Sequence, residues 1–219
     1  MKVVYHFFLL VLIICIPLIS IFAAFNVVLR MPDLYVYEFN KTEITKEIKL
    51  NIENDELGGV FSDFMLGKNK VFQLNAEYEG RELEIFSIND QKNMENLRHL
   101  LNIMLIVMGV MFVITFISYW ILISMKNKLD IRNAFKGGVI LYSSITILSF
   151  LAFYISFLRD IIYKFIFISP MKEDSVLSLM LTKHFANDCL IAGSVIAAII
   201  LIIFASITWN LTKPRRMFG

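Results

Sequence analysis

Four stretches of this chain, residues 5–29, 100–124, 138–158 and 189–211, contain no Asp, Glu, Lys or Arg. At about 1.5 Å per helical residue, each is long enough to cross roughly 30 Å of hydrocarbon. A single charge at the middle of a span costs about 2.5–3.5 kcal/mol on insertion, so its absence from all four runs is a strong constraint. Composition agrees. The chain is 58% hydrophobic, whereas ordinary globular chains are about 45–50% apolar, and lipid is the natural solvent for the excess. The expected fold is a membrane all-α bundle of four transmembrane helices, with a small α+β extracytoplasmic cap between helices 1 and 2.

The Lys and Arg residues near the span ends predict the orientation. Lys2, then Lys126, Lys128, Arg132 and Lys136, then Lys213, Arg215 and Arg216 fall on one side, offset only by Asp130. That side faces the cytoplasm under the positive-inside rule, with both termini inside. The implied order is a first span over 1–29, an extracytoplasmic cap and lead-in over 30–99, and a second span over 100–124. A basic loop over 125–137, a third span over 138–158, an outer loop over 159–188, a fourth span over 189–211 and a basic tail over 212–219 follow. The first run is too long for a signal-peptide core and lacks a small-x-small cleavage site, so it reads as an uncleaved signal anchor.

Other features exclude function classes. The net charge of +2 carries no field for nucleic acid. Cys15 and Cys189 are too few for a disulfide framework, and Leu12-Ile13-Ile14 is a poor lipoprotein cleavage box before Cys15. No Cys/His cluster has zinc spacing, and no Gly-x-Ser-x-Gly elbow occurs. No cofactor is expected. Gly137-Gly138 reads as a start or hinge for the third span. Gly193, Ser194, Ala197 and Ala198 read as a helix-packing face, and Tyr142, Thr146, Ser149 and Ser156 as an interhelical hydrogen-bonding stripe. Transport is disfavoured because no acid or ion pair marks a path through the spans.

Within 30–99, Tyr35-Val36-Tyr37 is rich in strand formers, and Ile48, Leu50 and Ile52 alternate with polar residues, so both predict strands. Asp55 is placed to cap a short helix carrying Leu57, Phe61, Phe64 and Met65, with Gly67 as its stop. Residues 71–78 and 81–87 predict a hairpin around Glu79-Gly80. Ser87, Asn89 or Asp90 caps a helix that runs without a break into the second span. Met94, Leu97, Leu101 and Met104 recur along it at helical spacing.

Three stretches then carry a family resemblance. Tyr35-Val36-Tyr37-Glu38-Phe39 follows the first span. Phe86 through Arg98 leads into the second. Ile162 through Phe167 lies after the third. With the four-span layout, these make the chain similar to the lipoprotein intramolecular transacylase (Lit) family. That family has a Tyr-x-Tyr-Glu-Phe run, a Leu-Phe-Asn followed by Glu-x-x-His-Met-x-Asp-Val-Lys, and a Phe-His-x-Ile-Phe-Phe run at these places. The resemblance implies movement of an acyl chain from the glyceryl group of a lipoprotein's modified cysteine to its N-terminal amine, with a histidine in each of the latter motifs moving protons.

This sequence departs at both histidines. Asn93 and Tyr163 occupy those positions, and Asn96 stands for the family's aspartate. An amide does not accept a proton near neutrality, although it can donate to an oxyanion. The expectation is therefore a Lit-like integral membrane protein acting at the outer leaflet on membrane lipid or diacylated lipoprotein, without catalysis. The alternative is an active lipoprotein acyltransferase with a rewired site built from Asp90, Asn93, Tyr163 and His184, with His99 and His184 as substitute proton carriers. A further alternative is an accessory protein partnered with another membrane protein.

Overall fold

The computed structural model describes every residue except 1, 48–50, 79–80, 126–127, 170–174, 182 and 214–219. Its elements are α1 (Lys2–Val28), α2 (Pro32–Thr42), α3 (Ile44–Glu47), α4 (Asn54–Met65), β1 (Asn75–Tyr78), β2 (Arg81–Glu84), α5 (Ile88–Ser124), α6 (Lys128–Tyr154), α7 (Ser156–Ile166), α8 (Val176–Met180) and α9 (Lys183–Leu211). Four of these helices, α1, α5, α6 and α9, are long and apolar enough to cross a membrane. The third begins at Lys128 and breaks at Ile155, so its apolar run occupies only the later part of a longer helix. The chain divides into two compact units, residues 1–24, 104–151 and 193–219, and residues 25–103 and 152–192.

The first unit is built from the long helices. Its core joins Leu12, Ile16 and Ile19 of α1 with Tyr119 and Leu122 of α5, Ile131 and Phe135 of α6, and Leu201 and Phe204 of α9. Outward-facing Ile106, Val110, Phe112, Phe116 and Trp120 leave α5 with a broad apolar surface of the kind that lipid covers. Gly137 and Gly138 lie inside α6, not at its start. A Cβ on Gly138 would stand 3.3 Å from the Ile13 carbonyl oxygen and 3.5 Å from Pro17 Cδ, so these glycines allow α6 to approach α1 closely. Tyr142 donates to the Ser194 carbonyl on α9 at 2.6 Å. Ser149, by contrast, turns back to the Ile145 carbonyl of its own helix.

The second unit is mostly helical. Tyr35-Val36-Tyr37 is helix, not strand. Pro32 occupies the first turn of α2, where its missing N–H costs nothing. Tyr35, Glu38 and Phe39 then fall on one buried face at helical spacing. Burial of that face overrides the β-propensity of the three residues. The strand expected over 48–52 lies partly outside the described residues, and Asn51 to Glu53 are irregular. The hairpin is present as the antiparallel pair β1–β2, with Asn75 opposite Glu84 and Tyr78 opposite Arg81; its turn falls outside the described residues.

Helix α4 starts two residues earlier than expected. Its N-cap is Glu53, and Asp55 sits in the first turn, where a negative charge complements the helix dipole. It closes as the sequence predicts. Gly67 takes φ +80, its N–H bonds the Phe64 carbonyl at 3.0 Å, and the Lys68 N–H bonds the Asp63 carbonyl at 2.9 Å, which is a Schellman closure.

Aromatic packing holds this unit together. Phe61 lies 5.0 Å from Tyr35, 5.5 Å from Phe39 and 4.9 Å from Phe72, measured between ring centroids. Phe72 continues to Phe86 at 4.2 Å. All five rings are essentially inaccessible. Tyr35 also stacks on Phe185 of α9 at 5.4 Å and donates to the Leu29 carbonyl at 2.8 Å, so its buried hydroxyl is satisfied.

Candidate functional site

Helix α5 opens with a capping box. The Asp90 carboxylate accepts from the Ser87 N–H at 3.1 Å and the Ser87 hydroxyl at 2.8 Å. The Asp90 N–H in turn donates to Ser87 Oγ at 3.3 Å. This reciprocal arrangement satisfies donors that a helix start leaves free. Asp90 is buried in that role.

One turn on, Asn93 is fully buried. Its Nδ2 donates to the Ser169 carbonyl at 3.1 Å, and its Oδ1 accepts from the Ser169 N–H at 2.9 Å. The side-chain amide thus pairs with one residue's backbone as a neighbouring strand would. Asn96 adds a bond from Nδ2 to the Ile166 carbonyl at 2.7 Å. The two asparagines together fasten the end of α7 and the residues after it to the start of α5. Asn93 and Asn96 are thus both amides that grip backbone.

Tyr163 lies on α7, half-buried between Phe153 at 6.3 Å and Phe167 at 5.9 Å. Burial pushes its phenol above the usual tyrosine range, and nearby Arg159 only partly opposes this. At neutral pH the hydroxyl keeps its proton and is a donor, not a base. His184 is exposed at the start of α9, and His99 is exposed on α5. No hydrogen bond among the described residues joins Asn93, Tyr163 and His184. Of the four sequence-predicted residues, Asp90 and Asn93 share the α5 lead-in, each with a bonding partner of its own.

The structure adds groups that the sequence alone did not single out. Glu38 on α2 has a side chain only 1% exposed, and neither of its oxygens makes a hydrogen bond. Lys41 Nζ stands 3.6 Å away and bonds the Asp188 carboxylate of α9 at 2.6 Å. Burial raises the Glu38 carboxyl above the usual range, and the adjoining Asp188 raises it further, against the pull of Lys41. Two carboxyls thus share one ammonium, and the buried one favours holding a proton. In the sequence Glu38 stands out only as part of the Tyr35-Val36-Tyr37-Glu38-Phe39 run. The partner, 150 positions later, does not stand out at all.

A cavity of about 420 Å³ opens beside the same lead-in, lined by Lys92, Glu95, Arg98, His99, Asn102 and Ser169 among others. Arg98 is fixed there by bonds to the Phe64 and Asn69 carbonyls at 3.4 and 3.0 Å, with its guanidinium 4.1 Å over the Phe64 ring. No group of His, Cys, Asp and Glu among the described residues has a metal-binding arrangement.

No protein-family model matches the sequence, and no curated protein does. Solved structures do match. The membrane integral lipoprotein intramolecular transacylase Lit from Bacillus cereus, in a variant with one histidine replaced by arginine, superposes with a TM-score of 0.74 at 18% identity, over 100% of this chain and 96% of that one. A second structure of the same protein gives 0.72 and 18%, over 99% and 100%. A histidine-to-alanine variant gives 0.74 and 19%, over 99% and 97%. At this identity the likeness establishes the fold.

Proposed function

We propose that this multi-pass membrane protein, whose fold is Lit-like, acts at the outer leaflet on membrane lipid or diacylated lipoprotein, binding without transferring an acyl chain. Asn93 carries this reading. Acyl migration from a glyceryl ester to an amine needs a base for the ammonium proton and donors for the oxyanion. The group at the first histidine position is an amide that is inaccessible to solvent and spent on the Ser169 backbone. At the second position, the Tyr163 phenol is held protonated by burial. The loss of one general base costs about 10²–10⁴-fold in rate.

The orientation follows the sequence charge. Residues 30–99 and 159–188 form the extracytoplasmic part, a small cap with one hairpin, and both termini are cytoplasmic. In this arrangement the α5 lead-in and α7 stand at the level of lipid esters and headgroups.

One observation favours a second reading. Glu38 is a buried carboxyl whose oxygens meet no hydrogen-bond donor, next to Asp188, which lies one turn of α9 from His184. A carboxyl that burial pushes towards holding its proton is what an alternative acyltransferase site needs.

The test is expression in a bacterium that makes diacylated lipoproteins and lacks this transacylase activity, followed by mass measurement of lipoprotein N-terminal peptides. The binding reading predicts unchanged diacylglyceryl termini with the protein inserted in the membrane. An N-acylated lyso form that disappears in Glu38→Gln or His184→Ala would establish the second reading instead.

A further inference from the structure

The cavity beside the α5 lead-in holds more positive charge than its neighbours neutralise. Lys92 and Arg98 line it with His99, against one acid, Glu95. Arg98 directs its hydrogen bonds to carbonyl oxygens and its face to an aromatic ring. Neither Lys92 nor Arg98 pairs with a carboxylate among the described residues. A third cation joins through Asn102, whose Oδ1 accepts from Arg30 at 2.8 Å. Arg30 Nε is buried and has no hydrogen-bond partner, so a donor of this cluster stands without an acceptor.

The placement along the chain is equally specific. Arg30 follows the apolar α1 run by two residues, and Asn102 stands just inside the uncharged stretch of α5. Both helices therefore bring their cations to the place where hydrocarbon gives way to polar headgroups. Basic pockets at that depth suit phosphate-bearing headgroups. A planar guanidinium and an ammonium are the two side chains best matched to phosphate oxygens. A volume of about 420 Å³ lies within the roughly 300–1,000 Å³ of small-ligand sites and exceeds what a bare phosphate needs.

We propose that this cavity binds a phosphate group, with the phosphodiester headgroup of an anionic phospholipid as the ligand it fits, held by Lys92, Arg98 and His99 with Arg30 and Asn102 at its inner edge. The assignment rests on the reading that the start of α5 meets a lipid surface, and is independent of acyl transfer. A bound headgroup would sit against Ser169, whose backbone Asn93 clamps, so the clamp also shapes this site.

The experiment uses the purified full chain in a neutral detergent and reads binding of dioctanoyl phosphatidylglycerol against dioctanoylglycerol, which has the same chains and no phosphate. The phospholipid should bind about tenfold tighter or more, as one charge-assisted contact provides. Lys92→Glu and His99→Ala, both at exposed positions, should each shrink that advantage and leave the helical content unchanged. Inorganic phosphate forms a third arm. Competition at millimolar levels would mean that free phosphate suffices. Phospholipid preference without competition would mean that the lipid's headgroup is required. Equal affinity for the two lipids together with no binding of inorganic phosphate, or a phosphate preference untouched by Lys92→Glu, would overturn the proposal. Lipoprotein mass measurements are unaffected by this result, so failure here and failure of the lipoprotein reading are distinguishable.

Discussion

Asn93 and Ser169 are joined by two hydrogen bonds, 3.1 Å from Nδ2 to the serine carbonyl and 2.9 Å from the serine N–H to Oδ1. They are 76 positions apart, and the asparagine is fully buried. Asn93→Ala would leave the N–H and C=O of Ser169 without these partners. Each unsatisfied buried group costs about 1–3 kcal/mol. We expect a loss of about 2–4 kcal/mol in the unfolding free energy, read as a lowered midpoint in thermal or denaturant unfolding in detergent. A neutral substitution would show that the pairing does not hold the segment.

Glu38 predicts a pH dependence. Its folded-state carboxyl is raised by burial and by Asp188. A raised group contributes its stability below the unfolded value, about 4.3 for glutamate. That contribution is lost as pH climbs through the folded value. Glu38→Gln keeps the shape and removes the titration. It should therefore stabilise the protein at neutral pH and lose that advantage towards pH 4. Unfolding midpoints of both proteins across this range check it. Parallel curves would contradict the assignment.

Gly58 marks the closest approach of α4 to α2. A Cβ there would stand 2.6 Å from Val36 Cγ2 and 3.2 Å from the Val36 backbone nitrogen. Valine is stiff at χ1 and the backbone cannot retreat alone. Alanine would gain about 1 kcal/mol in helix propensity, but overpacking costs about 1–3 kcal/mol. Gly58→Ala should lower stability overall. Gly59→Ala, where nothing lies within 4 Å, should raise it.

Phe61 touches Tyr35, Phe39, Phe72 and Phe86. Phe61→Ala should cost about 3–5 kcal/mol. The loss should appear as local opening of residues 32–86 by hydrogen exchange, before exchange of the amides in the apolar part of α5.

The membrane spans were legible because their signal is local: an uncharged run needs no partner to be read. The cap of α5 was legible for the same reason, since Ser87 and Asp90 are three residues apart. Tyr35-Val36-Tyr37 misled because propensity spoke for strand. The signals for helix were Pro32 at the first turn and the four-residue spacing of Tyr35 and Phe39. The site was less legible. Asn93 was visible as a departure from a histidine position, but its partner is a backbone group far along the chain. Glu38, Lys41 and Asp188 become one cluster only when α2 and α9 meet. Non-local pairings of this kind leave no period and no spacing in the sequence.

Reconstitution tests the central claim most directly. The purified chain is placed in bilayers with a synthetic diacylglyceryl-cysteine peptide bearing a free N-terminus, and the peptide's acyl positions are followed by fragmentation mass spectrometry. The account predicts that the peptide stays O-diacylated at the rate of protein-free bilayers. Formation of the N-acyl lyso product at a rate proportional to protein, and slowed in Tyr163→Phe or Glu38→Gln, would contradict it.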